Sequence, residues 1–79
     1  ISDIGAQHLA DAINNNNCQL HTLNLYRNNI SDIGAQYLAN AINNNNCQLR
    51  TLNLSHNQHI TSKQHVRDLL SNSQCKLIL

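Results

Sequence analysis

At 79 residues and 8.9 kDa the chain has room for one small domain, and a chain this short buries only about 60% of the surface it exposes when unfolded. Twenty-one Leu, Ile and Val residues separate it from disordered sequences in spite of fifteen Asn. Five Lys/Arg against four Asp leave a charge of +1, no run of 18 apolar residues exists, and no basic stretch leads into an apolar one, which argues against nucleic-acid, membrane and signal-peptide roles.

Laid against itself, the chain repeats. Residues 1–29 and 30–58 agree at 23 of 29 positions without a gap, and residues 59–79 form a divergent third copy. A period between 20 and 50 residues indicates a solenoid of stacked units that bury a shared core. The three units are 1–29, 30–58 and 59–79. Because the chain opens within a unit and its last copy is short, the sequence reads as a segment of a longer array.

In chain order, the first unit opens with a helical stripe through Leu9 and Ala10, followed by Asn14 to Asn17 and Cys18. Leu20, Leu23 and Leu25 then mark a short strand. Leu23 and Leu25 share its inner side, so Thr22, Asn24 and Tyr26 face outward. Asn28 follows, and its repeat at Asn57 predicts a ladder of buried amides bonded to the backbone. Asp32 stands where a helix N-cap belongs. Ala35, Leu38, Ala39 and Ile42 fall at i, i+3, i+4 and i+7 on the buried face of that helix. The run Asn43 to Asn46 is expected to end it, since Asn tolerates the left-handed conformation of helix termini. The second strand follows through Leu49, Leu52 and Leu54, with Thr51, Asn53 and Ser55 outward. In the third unit Val66, Leu69 and Leu70 keep a helical stripe, and Cys75-Lys76-Leu77 matches Cys47-Gln48-Leu49.

The series Leu20, Leu23, Leu25, Asn28, Ile30, Asp32, Gly34, Ala35, Leu38, Ala39 and Ile42 resembles a leucine-rich repeat of the ribonuclease-inhibitor type. The likeness resumes at Leu49, Leu52, Leu54, Asn57 and Ile60 and covers essentially the whole chain. It implies an α/β architecture: a right-handed strand–helix solenoid, a horseshoe segment with a parallel sheet on its concave face and helices on the convex side. Members of that family include ribonuclease inhibitors, sensor domains of nucleotide-binding innate receptors, Ran GTPase-activating proteins and tropomodulin-like actin regulators. Their shared activity is holding another protein.

The chemistry-bearing residues point the same way. Cys18, Cys47 and Cys75 recur at offsets of 29 and 28 with the repeat rather than as a metal clip, and read as small buried thiols. Their odd number and the missing signal suggest a reducing, cytoplasmic setting. His56, His59 and His65 have no carboxylate or thiolate placed with them, so no metal is expected. The serines occupy turn, cap and strand positions, and Gly5 and Gly34 stand alone, so neither a nucleophile with its base nor a phosphate loop is present. Neither an enzyme nor a cofactor is expected.

Six positions separate the two near-identical units: His8/Tyr37, Asp11/Asn40, His21/Arg50, Tyr26/Ser55, Arg27/His56 and Asn29/Gln58. None touches the inward set. Three of them lie on or beside the outward strand positions. Tyr and Arg are the side chains from which interfaces draw most energy. The expected partner-binding residues are therefore Tyr26, Arg27, Arg50 and His56, framed by Thr22, Asn24, Thr51, Asn53 and Ser55, and the expected partner is another protein. A GTPase-activating module resembling the Ran regulators and a structural repeat spacer are the alternatives.

Overall fold

A computed structural model describes residues 1–14, 20–44, 49–71 and 73–79. Helix and strand alternate: α1 (Asp3–Asn14), β1 (Thr22–Asn24), α2 (Asp32–Asn44), β2 (Thr51–Asn53), α3 (Lys63–Leu69) and β3 (Lys76–Ile78). The strands form one parallel sheet in the order β1, β2, β3, with Leu23, Leu52 and Leu77 level with one another. Each crossover contains a helix, as parallel neighbours require, and the helices pack in the same order, α1 on α2 and α2 on α3.

Two rows of leucine and the apolar stripes of the helices meet in one core. Ile30, Leu38, Leu52, Leu54 and Val66 are its largest fully buried side chains. Position in the stack decides burial. Ala41 in α2 is fully buried, whereas its repeat counterpart Ala12 in α1 is exposed, because only α2 has a helix on either side. The same reason corrects the expectation for Leu20. It is 48% exposed, whereas its counterpart Leu49, between two rungs, is 2% exposed.

The asparagine ladder forms as expected. The Asn57 amide is buried and donates to the carbonyls of Leu25 and Leu54, both at 2.9 Å, while its oxygen accepts from the Ile30 N–H at 3.0 Å. Asn28 repeats the pattern one rung earlier, donating to Leu25 at 3.0 Å and accepting from the Ile1 nitrogen.

Two local expectations are corrected. Asp32 does not cap its own helix. Its carboxylate reaches the following coil and accepts from the Thr61 N–H at 3.1 Å and hydroxyl at 2.6 Å. At the start of α2 the Ser31 hydroxyl instead accepts from the Ile33 N–H at 3.2 Å. The asparagine run ends α2 as expected, at Asn44, and the Asn43 amide donates to the Leu69 carbonyl at 2.8 Å, tying α2 to α3. Asn45 and Asn46 lie outside the described residues.

The second correction concerns register. Leu77 lies beside Leu52, not in line with Leu49, and Lys76 beside Thr51. Cys75 is therefore level with Arg50. The cause is the short third helix, seven residues against thirteen in α2, so 17 residues separate Ile60 from Leu77 where 22 separate Ile30 from Leu52.

Candidate interaction surface

The outward side of the sheet is built by the strand alternation itself. Thr22, Thr51 and Lys76 form one in-register row, and Asn24, Asn53 and Ile78 form the next. The β1 and β3 members are exposed and the β2 members half-buried between them. Asn24 and Asn53 are partly occupied by their own turns. Each accepts from the backbone N–H two residues on, Tyr26 and Ser55, at 3.0 Å, and Asn53 also accepts from the Ser55 hydroxyl at 2.7 Å. These bonds bend the chain out of the strand, a local geometry for which Asn is well suited.

Directly after that bend, Arg27 and His56 adopt positive φ angles of 61° and 60°. Left-handed backbone at a residue with a side chain costs about 1–2 kcal/mol, and it occurs here at the same repeat position twice. It brings three of the expected residues together. The Tyr26 and His56 rings meet edge to face with centroids 5.0 Å apart and planes at 72°, and the Arg27 guanidinium lies 6.0 Å from the Tyr26 ring centre. Tyr26 remains 45% exposed. This is an aromatic and cationic cluster at the strand exits, open to solvent.

Arg50 does not belong to it. It precedes β2, at the opposite end of the strands from His56. There its guanidinium donates to the Gln74 side chain at 2.9 Å. The sequence reading also missed Lys76 and Ile78, because Cys75-Lys76-Leu77 was matched to Cys47-Gln48-Leu49. The signal was present: Lys76-Leu77-Ile78-Leu79 repeats the alternation of Thr51-Leu52-Asn53-Leu54.

Beside the cluster, Ser55, His56, Lys63 and Leu79 help line an open cleft of about 370 Å³. The buried Cys75 thiol is pushed up from its ordinary value by desolvation, which keeps it protonated and unreactive at neutral pH. Cys18 and Cys47 lie outside the described residues. Among the described residues no His, Cys and Asp side chains converge in a group of three, and no helix is long and apolar enough to cross a membrane.

On the helix side of the molecule, both aspartates at helix starts are engaged. Partial burial raises the Asp3 carboxyl, but the Ser31 hydroxyl and the N–H groups of Ser31 and Gly34 outweigh it and hold Asp3 below its ordinary value. The Thr61 hydroxyl does the same for Asp32, against a smaller desolvation and with help from the Thr61 and Ser62 backbone.

No curated protein and no solved structure matches the chain. A family model described as Leucine Rich repeat matches residues 16–39 and 45–63. Those segments make up more than half of the sequence and span both complete strand–turn passages, the first ending within α2 and the second at Lys63, the first residue of α3. With the level leucines and the asparagine ladder, they place the chain in the leucine-rich-repeat family.

Proposed function

We propose that the outward face of the sheet holds another protein and that the chain is a non-enzymatic binding scaffold. One observation carries this reading: the outward side chains stand in two in-register rows, Thr22, Thr51 and Lys76 beside Asn24, Asn53 and Ile78, next to the exposed Tyr26, Arg27 and His56 cluster at the strand exits. Interfaces draw their largest contributions from such aromatic and arginine anchors. The leucine-rich-repeat family commonly mediates protein–protein contacts, and that is consistent with the face described.

The finer parts of the reading are that the sheet is the concave side of a right-handed horseshoe of the ribonuclease-inhibitor type, with units at 1–29, 30–58 and 59–79. The 29-residue period and the aspartate contacts between successive coils support them. Thr22, Asn24, Tyr26, Arg27, Thr51, Asn53, Ser55 and His56 belong to the contact face. Arg50 flanks it.

The test identifies a partner by photo-crosslinking from position 22 and then compares its capture by three chains. Tyr26→Ala combined with Arg27→Ala is expected to weaken capture at least tenfold with the circular dichroism unchanged, while Tyr37→Ala on α2 leaves capture intact. Equal capture by all three well-folded chains overturns the assignment.

A further inference from the structure

The small net charge conceals a separation. All four acidic residues, Asp3, Asp11, Asp32 and Asp68, lie on helices. Arg27, Arg50 and Lys76 lie on the strands or immediately beside them, where no acidic residue occurs. Lys63, at the start of α3, lines the cleft next to the aromatic cluster, together with His56. The strands and the residues beside them thus carry three cationic side chains and no acidic one, whereas the helices carry all four acidic side chains against Lys63 and Arg67.

Resting on the reading that this face binds protein, we infer that its partner presents an acidic segment. Lys76 stands two rungs from Thr22, about 10 Å across the sheet at 4.8 Å per rung, while Arg27 stands at the strand exit and Arg50 at the strand start. An extended acidic segment lying over this face meets Arg27 at the strand exits and Lys76, with Arg50 beside it, at the strand starts, and it passes the exposed Thr22 and the apolar edges of Tyr26 and Ile78. Potentials of opposite sign steer such an encounter and exclude basic competitors. A nucleic acid fits less well. Single strands are held by a basic track and several stacking rings, whereas these cations are dispersed and the exposed Tyr26 and His56 rings already meet each other edge to face, with Arg27 beside Tyr26.

The experiment selects 12-residue peptides from a random displayed library on the immobilised 79-residue chain, then maps each binder by amide chemical-shift changes. The expected binders are rich in Asp and Glu and perturb residues 22–28, 51–56 and 76–78. They lose about tenfold in affinity to the Arg27→Gln, Lys76→Gln double variant, and about tenfold between 50 and 300 mM NaCl with the unaltered chain, an arm that does not depend on the variant folding. Neutral or basic binders on the sheet face overturn the acidic partner and leave the protein-binding reading standing. Binders that map to the helices, or a selection that yields none, overturn both. An oligothymidine of twelve nucleotides that binds the sheet face more tightly than the acidic peptides overturns the inference in favour of nucleic acid.

Discussion

The Asp3 carboxylate caps the helix of the next coil rather than its own. It accepts from the Ser31 hydroxyl and from the Ser31 N–H at 2.7 Å, and from the Gly34 N–H at 3.2 Å. Gly34 lies in the first turn of α2, so this bond satisfies a donor that the helix leaves without an internal partner. Asp32 performs a related task on Thr61. A residue type usually explained by its own helix here locks successive coils together. Asp3→Ala therefore removes a helix cap and an inter-coil tie at once, with an expected cost of about 1–2 kcal/mol in urea unfolding. Asp11→Ala, on the exposed face of α1, is expected to change stability by less than about 0.5 kcal/mol. Equal effects would show that the tie contributes nothing.

The same bonds set a pH dependence. Asp3 and Asp32 are held below their ordinary value of 3.8 in the folded chain, so the unfolded chain takes up protons first as the solution is acidified. Their stabilisation is complete above that ordinary value and is lost as pH falls through the depressed folded one. The difference in urea midpoint between the native chain and the Asp3→Asn, Asp32→Asn double variant is expected to be constant from pH 7 to pH 5. Below about pH 4 it shrinks towards zero. A difference that persists undiminished at pH 2 would assign the effect to packing instead of charge.

Gly5 and Gly34 occupy the same repeat position, yet the two sites are expected to respond differently. A methyl at Gly34 would collide with the Asp3 carboxylate oxygen and stand 2.8 Å from the Ile30 side chain. Both neighbours are held, Ile30 by full burial and Asp3 by its bonds. At Gly5 the nearest atom is the Ile1 Cβ at 3.0 Å, on a half-exposed residue that can shift. Alanine ordinarily stabilises a helix by about 0.8–1 kcal/mol relative to glycine. Gly5→Ala is therefore expected to be neutral or stabilising, and Gly34→Ala to cost about 1–3 kcal/mol. Thermal unfolding of both variants checks the contrast, and matched shifts would contradict the crowding at Gly34.

Much of this architecture was legible because the sequence states it twice. The Leu-x-Leu alternation located β1 and β2, and the stripe through Ala35, Leu38, Ala39 and Ile42 located the buried face of α2. What escaped were properties set by neighbours. Ala41 becomes buried only when helices flank α2, and Asp32 looks like a cap until Thr61, 29 residues on, comes within reach. Matching Cys75 to Cys47 by residue identity misplaced β3, since the shortened α3 lets the leucine alternation set the register. At the surface, outward alternation found Thr22, Thr51 and Tyr26. The left-handed turns that gather Tyr26, Arg27 and His56 had no glycine to announce them.

The asparagine ladder gives the steepest expected loss. Asn57 is 5% exposed and joins three backbone groups from two coils, the Leu25 and Leu54 carbonyls and the Ile30 N–H. Asn57→Ala leaves Leu54 and Ile30 without this partner inside the stack, where water cannot easily replace it, while Leu25 keeps its bond from Asn28. Each stranded group costs about 1–3 kcal/mol. The two together cost about 2–6 kcal/mol, about half the whole stability of a domain this size, about 4–12 kcal/mol at 0.05–0.15 kcal/mol per residue. The variant is expected to unfold at a markedly lower temperature by circular dichroism. Asn28→Ala, at a rung that is only half-buried, is expected to cost about 1 kcal/mol. Equal tolerance at both sites would mean that water reaches the Leu54 carbonyl and the Ile30 N–H, and that the ladder does not hold the coils together.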